Sequence, residues 1–112
     1  MASRAAKSKY KRQKGCCFFC GKTMTSKQRH NDARSGWTKD HFIPRCIGGF
    51  DAWFNIVLAC QPCNTEKANT LPTQVQFSKF FDLYPEYAGQ MRLQILGLTL
   101  SGVLEKSVGQ MT

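Results

Sequence analysis

The chain predicts an α+β fold: a small ββα unit built around a four-cysteine metal clamp, followed by C-terminal helices. Three observations carry this. Two CxxC pairs, Cys17 with Cys20 and Cys60 with Cys63, stand at the spacing of a structural zinc site. Between them lie two stretches of strand character, separated by a loop that contains Pro44 and Gly48-Gly49. Toward the C-terminus, apolar residues recur with helical period. At 112 residues the chain is most simply one domain with one modest core.

The elements follow in order. Residues 1–14 are polar and basic without an apolar period, which predicts a flexible basic arm ahead of a folded domain at 15–112. The metal-bearing core spans about 17–69 and the helical part about 72–106. Cys17 to Thr25 predicts a tight knuckle, with Gly21 letting the backbone fold back around the metal. Thr23 to Trp37 is polar and predicts no definite element, although Ser35-Gly36 marks a turn. Trp37 to Phe42 reads as a strand, Ile43 to Gly49 as a loop, and Asn55 to Ala59 as a second strand. That strand runs into the second knuckle and a short helix from Asn64 to about Asn69.

Phe77, Phe80, Phe81 and Tyr84 fall at i, i+3, i+4 and i+7, the apolar face of one helix. Pro85 opens another helix, running to about Lys106, with two apolar stripes: Ala88/Met91/Ile95/Leu98 and Leu93/Leu96/Leu100/Val103. A helix apolar on two sides is buried by its own domain or by a partner subunit. Packing under the ββα unit is its expected role, and homodimerisation through the C-terminal helices is the second.

No secretory signal is visible, since the basic start leads into no apolar segment, and no stretch has the length of a membrane span. A cytoplasmic, reducing location is therefore expected, where paired CxxC motifs favour metal over disulfides. Residues 1–31 hold nine of the 16 Lys and Arg and none of the seven Asp and Glu, so the whole net charge of +9 lies there. Such an arm suits a polyanion, because each neutralised phosphate releases counterions. Lys9, Lys11, Arg12 and Lys14 are its candidate DNA contacts.

The chemistry is concentrated between the cysteine pairs. Asp40-His41 places a carboxylate beside an imidazole, and Asn64 directly follows Cys63. Phosphodiester hydrolysis needs an activated water and a way to stabilise charge on the phosphate and the leaving oxygen. His41 is the candidate general base, since imidazole exchanges protons near neutral pH. Asp40 and Asn64 are candidate oxygen ligands for a catalytic Mg²⁺ or Mn²⁺, while Cys17, Cys20, Cys60 and Cys63 form a closed structural Zn²⁺ site. Asn55 can bond the backbone of the Pro44–Gly49 loop and so hold His41 in place. Lys67, one helical turn beyond Asn64, and Arg45 are candidate phosphate contacts.

The combined motif Asp40-His41-x-x-Pro44-x-x-x-Gly48-Gly49, Asn55, and Cys60-x-x-Cys63-Asn64-x-x-Lys67 resembles the HNH endonuclease family over roughly residues 17–69. The resemblance implies a ββα-metal finger with His41 as base, Asp40 and Asn64 as cation ligands, and Asn55 as the loop-ordering asparagine. It further implies the zinc-containing subset, in a variant with Asn64 where the family name has its last histidine. A phage, mobile-element or restriction-like setting is expected for such an enzyme, with DNA as partner, and with either low intrinsic specificity or a second protein supplying it. The alternative is a zinc-ribbon module that binds nucleic acid without chemistry, although such a binder has no need of Asp40, His41 and Asn64 together.

Other residues take blander expectations. Trp37, Phe50, Trp53 and Phe54 read as core, Cys46 as a buried thiol, and His30 as a solvated or DNA-facing residue. Phe18 and Phe19 read as a cover for the zinc, and Cys16 sits one residue too far from Cys20 to serve as its knuckle partner.

Overall fold

Ser3 begins a helix where the composition suggested an unstructured arm. In the computed structural model, which describes residues 3–28 and 36–100, the Ser3 hydroxyl accepts a hydrogen bond from the Ala6 amide at 3.1 Å. This N-cap opens α1, Arg4–Arg12. The expected flexible arm is corrected on this point, and the reason is polar. Beyond the helix, the Gln13 carboxamide donates to the Leu58 carbonyl at 2.8 Å and accepts from the Leu58 amide at 3.0 Å. The Tyr10 hydroxyl donates to the Met24 carbonyl at 2.8 Å. A helix anchored by hydrogen bonds leaves little apolar period to read.

The chain divides into two compact units, Met1–His41 with Ile56–Ala68, and Phe42–Asn55 with Asn69–Thr112. In the first unit a three-stranded sheet has the order β1 (Thr25–Gln28), β2 (Gly36–His41), β3 (Ile56–Ala59). The expected strands at 37–42 and 55–59 are present within a residue at each end. β1 falls where the polar sequence predicted nothing. It runs parallel to β2 with an irregular register, and the Trp37 indole donates to the Ser26 carbonyl at 3.1 Å. β2 and β3 are antiparallel, with Asp40 opposite Val57 and His41 opposite Ile56. All four residues of β3 are buried, which explains its unbroken apolar run.

Among the described residues β3 is an edge strand, and Gln13 takes up the outward N–H and C=O of Leu58. The Phe18 amide donates to the same Leu58 carbonyl at 3.0 Å, fastening the first knuckle to the sheet. Helix α2, Gln61–Lys67, starts three residues earlier than the sequence suggested. Pro62 lies in its first turn, where a missing amide hydrogen costs nothing.

The second unit carries the loop between β2 and β3, with short 3₁₀ turns at Arg45–Ile47 and Trp53–Asn55. Helix α3, Gln74–Leu83, begins with a capping box between Thr73 and Gln76. A 3₁₀ turn at Pro85–Tyr87 leads into α4, Ala88–Leu100. The expected aromatic face is present. Phe80 stacks on Phe42 at 4.9 Å between ring centroids, Phe77 meets Phe42 edge-on at 5.2 Å, and Tyr84 lies 5.3 Å from Phe80.

On α4, Met91, Gln94 and Leu98 are buried, whereas Leu93, Leu96 and Leu100 of the second stripe are 70%, 53% and 80% exposed. Val103 and the helical continuation to Lys106 lie outside the described residues, as does His30. Two expectations are corrected here. Phe50 is exposed because its backbone, rather than its ring, is what the loop uses, and Cys46 is exposed on the first 3₁₀ turn. Among the described residues no helix is long and apolar enough to cross a membrane.

Candidate active site and metal centre

The two knuckles bring Cys17, Cys20, Cys60 and Cys63 together, all four sulfurs within 4.8 Å of one another. Gly21 makes the first turn with φ +76°, in the left-handed region, and its amide donates to the Cys17 carbonyl at 3.0 Å. Cys60 caps α2, which carries Cys63 in its first turn. The Cys20 and Cys60 sulfurs are 3.7 Å apart. Sulfurs at about 2.3 Å around a tetrahedral zinc lie about 3.8 Å from each other, so the four residues fit that ion.

Their acidities agree with this fit. Burial, and then the neighbouring thiols, push the Cys63 thiol well above its ordinary range, and burial raises Cys60. The Cys20 thiol is lowered to about 7, mainly by a backbone hydrogen bond from Lys22. Four thiolates cannot ionise side by side unless a cation neutralises them, and a zinc ion would supply that charge while displacing the protons.

Beside this cluster, α2 presents Asn64 and Lys67, one turn apart, to the Thr38/Asp40 face of β2. The Asn64 side-chain nitrogen donates to Thr38 Oγ1 at 2.9 Å and to the Lys39 carbonyl at 3.2 Å. Thr38 Oγ1 in turn donates to the Ala59 carbonyl at 2.8 Å. A carbonyl only accepts, so the nitrogen of Asn64 must face β2, which leaves its oxygen as the atom able to bind a cation.

Lys67 Nζ lies 3.3 Å from Asp40 Oδ1 and donates to the His41 carbonyl at 3.0 Å. Asp40 is 4% exposed, and its Oδ2 is buried with no hydrogen-bond partner among the described residues. Burial raises the Asp40 pKa, and the opposing charge and hydrogen bond of Lys67 do not fully offset it. An orphaned carboxylate oxygen of this kind is costly. With the Asn64 oxygen it offers hard donors suited to Mg²⁺ or Mn²⁺. His41 is half-buried and is the next residue of the strand, so its side chain leaves from the opposite face.

Asn55 belongs to the second unit, where it is fully buried and uses its whole hydrogen-bonding capacity. Its nitrogen donates to the carbonyls of Ile43 and Phe50, each at 2.9 Å. Its oxygen accepts from the Ile43 amide at 2.9 Å and from Gln94 Nε2 at 3.2 Å. Gln94 Oε1 also accepts from the Phe50 amide at 2.7 Å. A side chain at Gly49 would collide with the Ile43 carbonyl, so the tight loop requires glycine there.

The expected DNA contacts separate into two groups. Lys11, Arg12 and Lys14 are exposed at the end of α1, and Arg45 is exposed on its 3₁₀ turn. Lys9 is corrected, because it lies on the inward side of α1 and is 1% exposed. Lys67 has its ammonium turned onto Asp40 and the end of β2.

Sequence reasoning missed Gln13 and Gln94. Neither has a motif, and a buried glutamine inside a polar or mixed stretch leaves no periodic trace. Comparison with known proteins gives a sparse result. No curated protein matches the chain. A family model described as HNH endonuclease matches residues 17–80, more than half of the chain.

Proposed function

The chain belongs to the HNH endonuclease family, and on that premise we propose that it is a metal-dependent endonuclease that hydrolyses DNA phosphodiester bonds. The observation that carries this reading is the Asp40–Asn64 pair. A buried carboxylate oxygen without a partner and a carboxamide oxygen are set on adjoining elements, next to His41 on the same strand. The ion pair with Lys67 engages Oδ1 alone, so Oδ2 remains for a further ligand.

In this reading His41 takes the proton from the attacking water, and the strand's alternation directs it away from Asp40. Asp40 and Asn64 would hold a Mg²⁺ or Mn²⁺, which supplies charge stabilisation at the phosphate and the departing 3′ oxygen. In-line displacement wants these groups on opposite sides of phosphorus, which the divergence of Asp40 and His41 suits. Asn55 closes the loop that directly continues the strand bearing His41. The four cysteines would hold a structural zinc, which would fix the start of α2 and so Asn64 and Lys67. Lys11, Arg12, Lys14 and Arg45 bind the phosphate backbone. The exposed leucines of α4 are left for a second copy of the chain or for a protein that directs cleavage.

His41→Ala tests the reading. Cleavage should slow by about 10²–10⁴-fold, the usual contribution of a general base. DNA affinity and zinc content should stay at the parent's values. A variant that cuts at the parent rate contradicts the assignment, and a parent that binds DNA but never cuts leaves the zinc-ribbon alternative.

A further inference from the structure

Lys67 occupies one oxygen of the carboxylate on which the catalytic reading rests, and leaves the other. Its Nζ is 3.3 Å from Asp40 Oδ1 and is steadied by the His41 carbonyl at 3.0 Å. The Lys67 side chain is 8% exposed, so it is not a mobile surface cation that meets Asp40 in passing. Two further features hold it there. Lys67 ends α2, whose first turn carries Cys63, and the ammonium lies 5.9 Å from the centre of the Phe19 ring inside the other knuckle. From these contacts we infer that Lys67 is a positioning residue that confines Asp40 to one-oxygen binding of the catalytic cation and so selects small octahedral cations against Ca²⁺.

The chemistry follows from how the ions take carboxylates. Ca²⁺ accepts six to eight oxygens and often takes both oxygens of one carboxylate, whereas Mg²⁺ demands near-ideal octahedral geometry and binds through few protein oxygens while keeping waters. A carboxylate whose Oδ1 is held by an ammonium has only Oδ2 to give, and Oδ2 is the atom left without a partner. The arrangement penalises the ion that wants two oxygens more than the ion that wants one. An ammonium nearby also weakens every divalent cation by simple repulsion, but that effect is nearly equal for two ions of the same charge. The ratio of the two affinities therefore isolates the denticity from the charge.

The inference rests on Asp40 being a cation ligand, and its test separates the two claims. Zinc-loaded parent, Lys67→Met and Lys67→Arg are titrated with Mn²⁺, following the free ion by its paramagnetic resonance signal. Mg²⁺ and Ca²⁺ are then used as competitors, and Asp40→Ala serves as the control. The parent should favour Mg²⁺ over Ca²⁺. Lys67→Met should gain Ca²⁺ affinity relative to Mg²⁺ by about tenfold, the low end of what outer partners of a metal site contribute. Lys67→Arg, which keeps a cationic donor, should stay near the parent ratio.

Mn²⁺ binding that Asp40→Ala leaves unchanged overturns the catalytic reading and this inference together. Binding that depends on Asp40, with the same Mg²⁺/Ca²⁺ ratio in parent and Lys67→Met, overturns the inference alone. Should Lys67→Met fail to fold, the parent still decides. A parent that binds Ca²⁺ as tightly as Mg²⁺ contradicts the proposal without any variant.

Discussion

Asp40 is a carboxylate buried at a cost to the fold, with one oxygen left without a hydrogen-bond partner among the described residues. Burial raises its pKa despite Lys67, so ionisation is less favourable in the folded chain than in the unfolded one. The sign of the pH effect follows from linkage. A carboxyl whose folded pKa is raised contributes stability that is complete below its unfolded value and is lost as pH rises through the folded value. Without added Mg²⁺ or Mn²⁺, the parent should lose stability relative to Asp40→Asn as pH rises from about 4, the ordinary range of an aspartate. Paired thermal melts of the zinc-loaded proteins across that range check this, and a difference that does not change with pH would contradict the assigned burial. Asn55 makes the complementary case, since all of its capacity is satisfied. Asn55→Ala should cost about 3 kcal/mol, because it strands several buried backbone groups. Denaturant unfolding measures it. The proposed set Asp40, His41, Asn55 and Asn64 could be picked out of the sequence because each residue has an unusual chemistry at a fixed spacing. The Lys67 contact could not, because spacing locates a lysine on a helix face without saying what its long side chain meets.

Among the elements, the knuckles and the strands between them could be read directly, since cysteine spacing, Pro44 and the glycine pair punctuate the chain. β1 and α1 could not. β1 pairs irregularly through a polar sequence, and α1 is attached by Gln13, a residue with no apolar signature. This gives α1 a specific weakness. Gln13→Ala removes the hydrogen bonds to Leu58 and the one to the Cys16 carbonyl, leaving the buried Leu58 amide without that acceptor. Amide exchange in α1 should quicken while that in α3 and α4 stays unchanged, and stability should fall by about 2 kcal/mol. Equal protection of α1 in both proteins would show that Ala6 and Lys9, not Gln13, hold the helix. The cysteine knuckles should be less forgiving. Cys60→Ser should leave the first unit unfolded, because structural zinc contributes folding free energy directly. Metal analysis of the parent should find one zinc per chain, and a folded, zinc-free Cys60→Ser protein would contradict this.

For the whole molecule, the α+β class and the family could both be read from the sequence, because the motif's residues combine unusual chemistry with fixed spacing, on β2, on the loop that follows it and on α2. The division into two units could not. The loop of Phe42–Asn55 separates β2 from β3 in sequence, yet it joins the C-terminal helices in one unit through Asn55 and Gln94, a pairing across 39 positions that no local pattern announces. The concentration of charge in residues 1–31 remains the clearest whole-chain signal, and α1 carries part of it. Neutralising Lys11, Arg12 and Lys14 together should weaken binding to all DNA sequences alike and make the salt dependence shallower. If each meets one phosphate, log K against log salt should lose about 2.7 units of slope, at about 0.9 per phosphate. An unchanged slope would move DNA binding off α1. The central claim is cation-dependent cleavage, and it is tested most directly by incubating the zinc-loaded chain with supercoiled plasmid. With added Mg²⁺ or Mn²⁺ the parent should nick or linearise the DNA, and without added cation, or with Asp40→Ala, it should not. Equal cleavage with and without the cation, or by the parent and Asp40→Ala, would contradict the account.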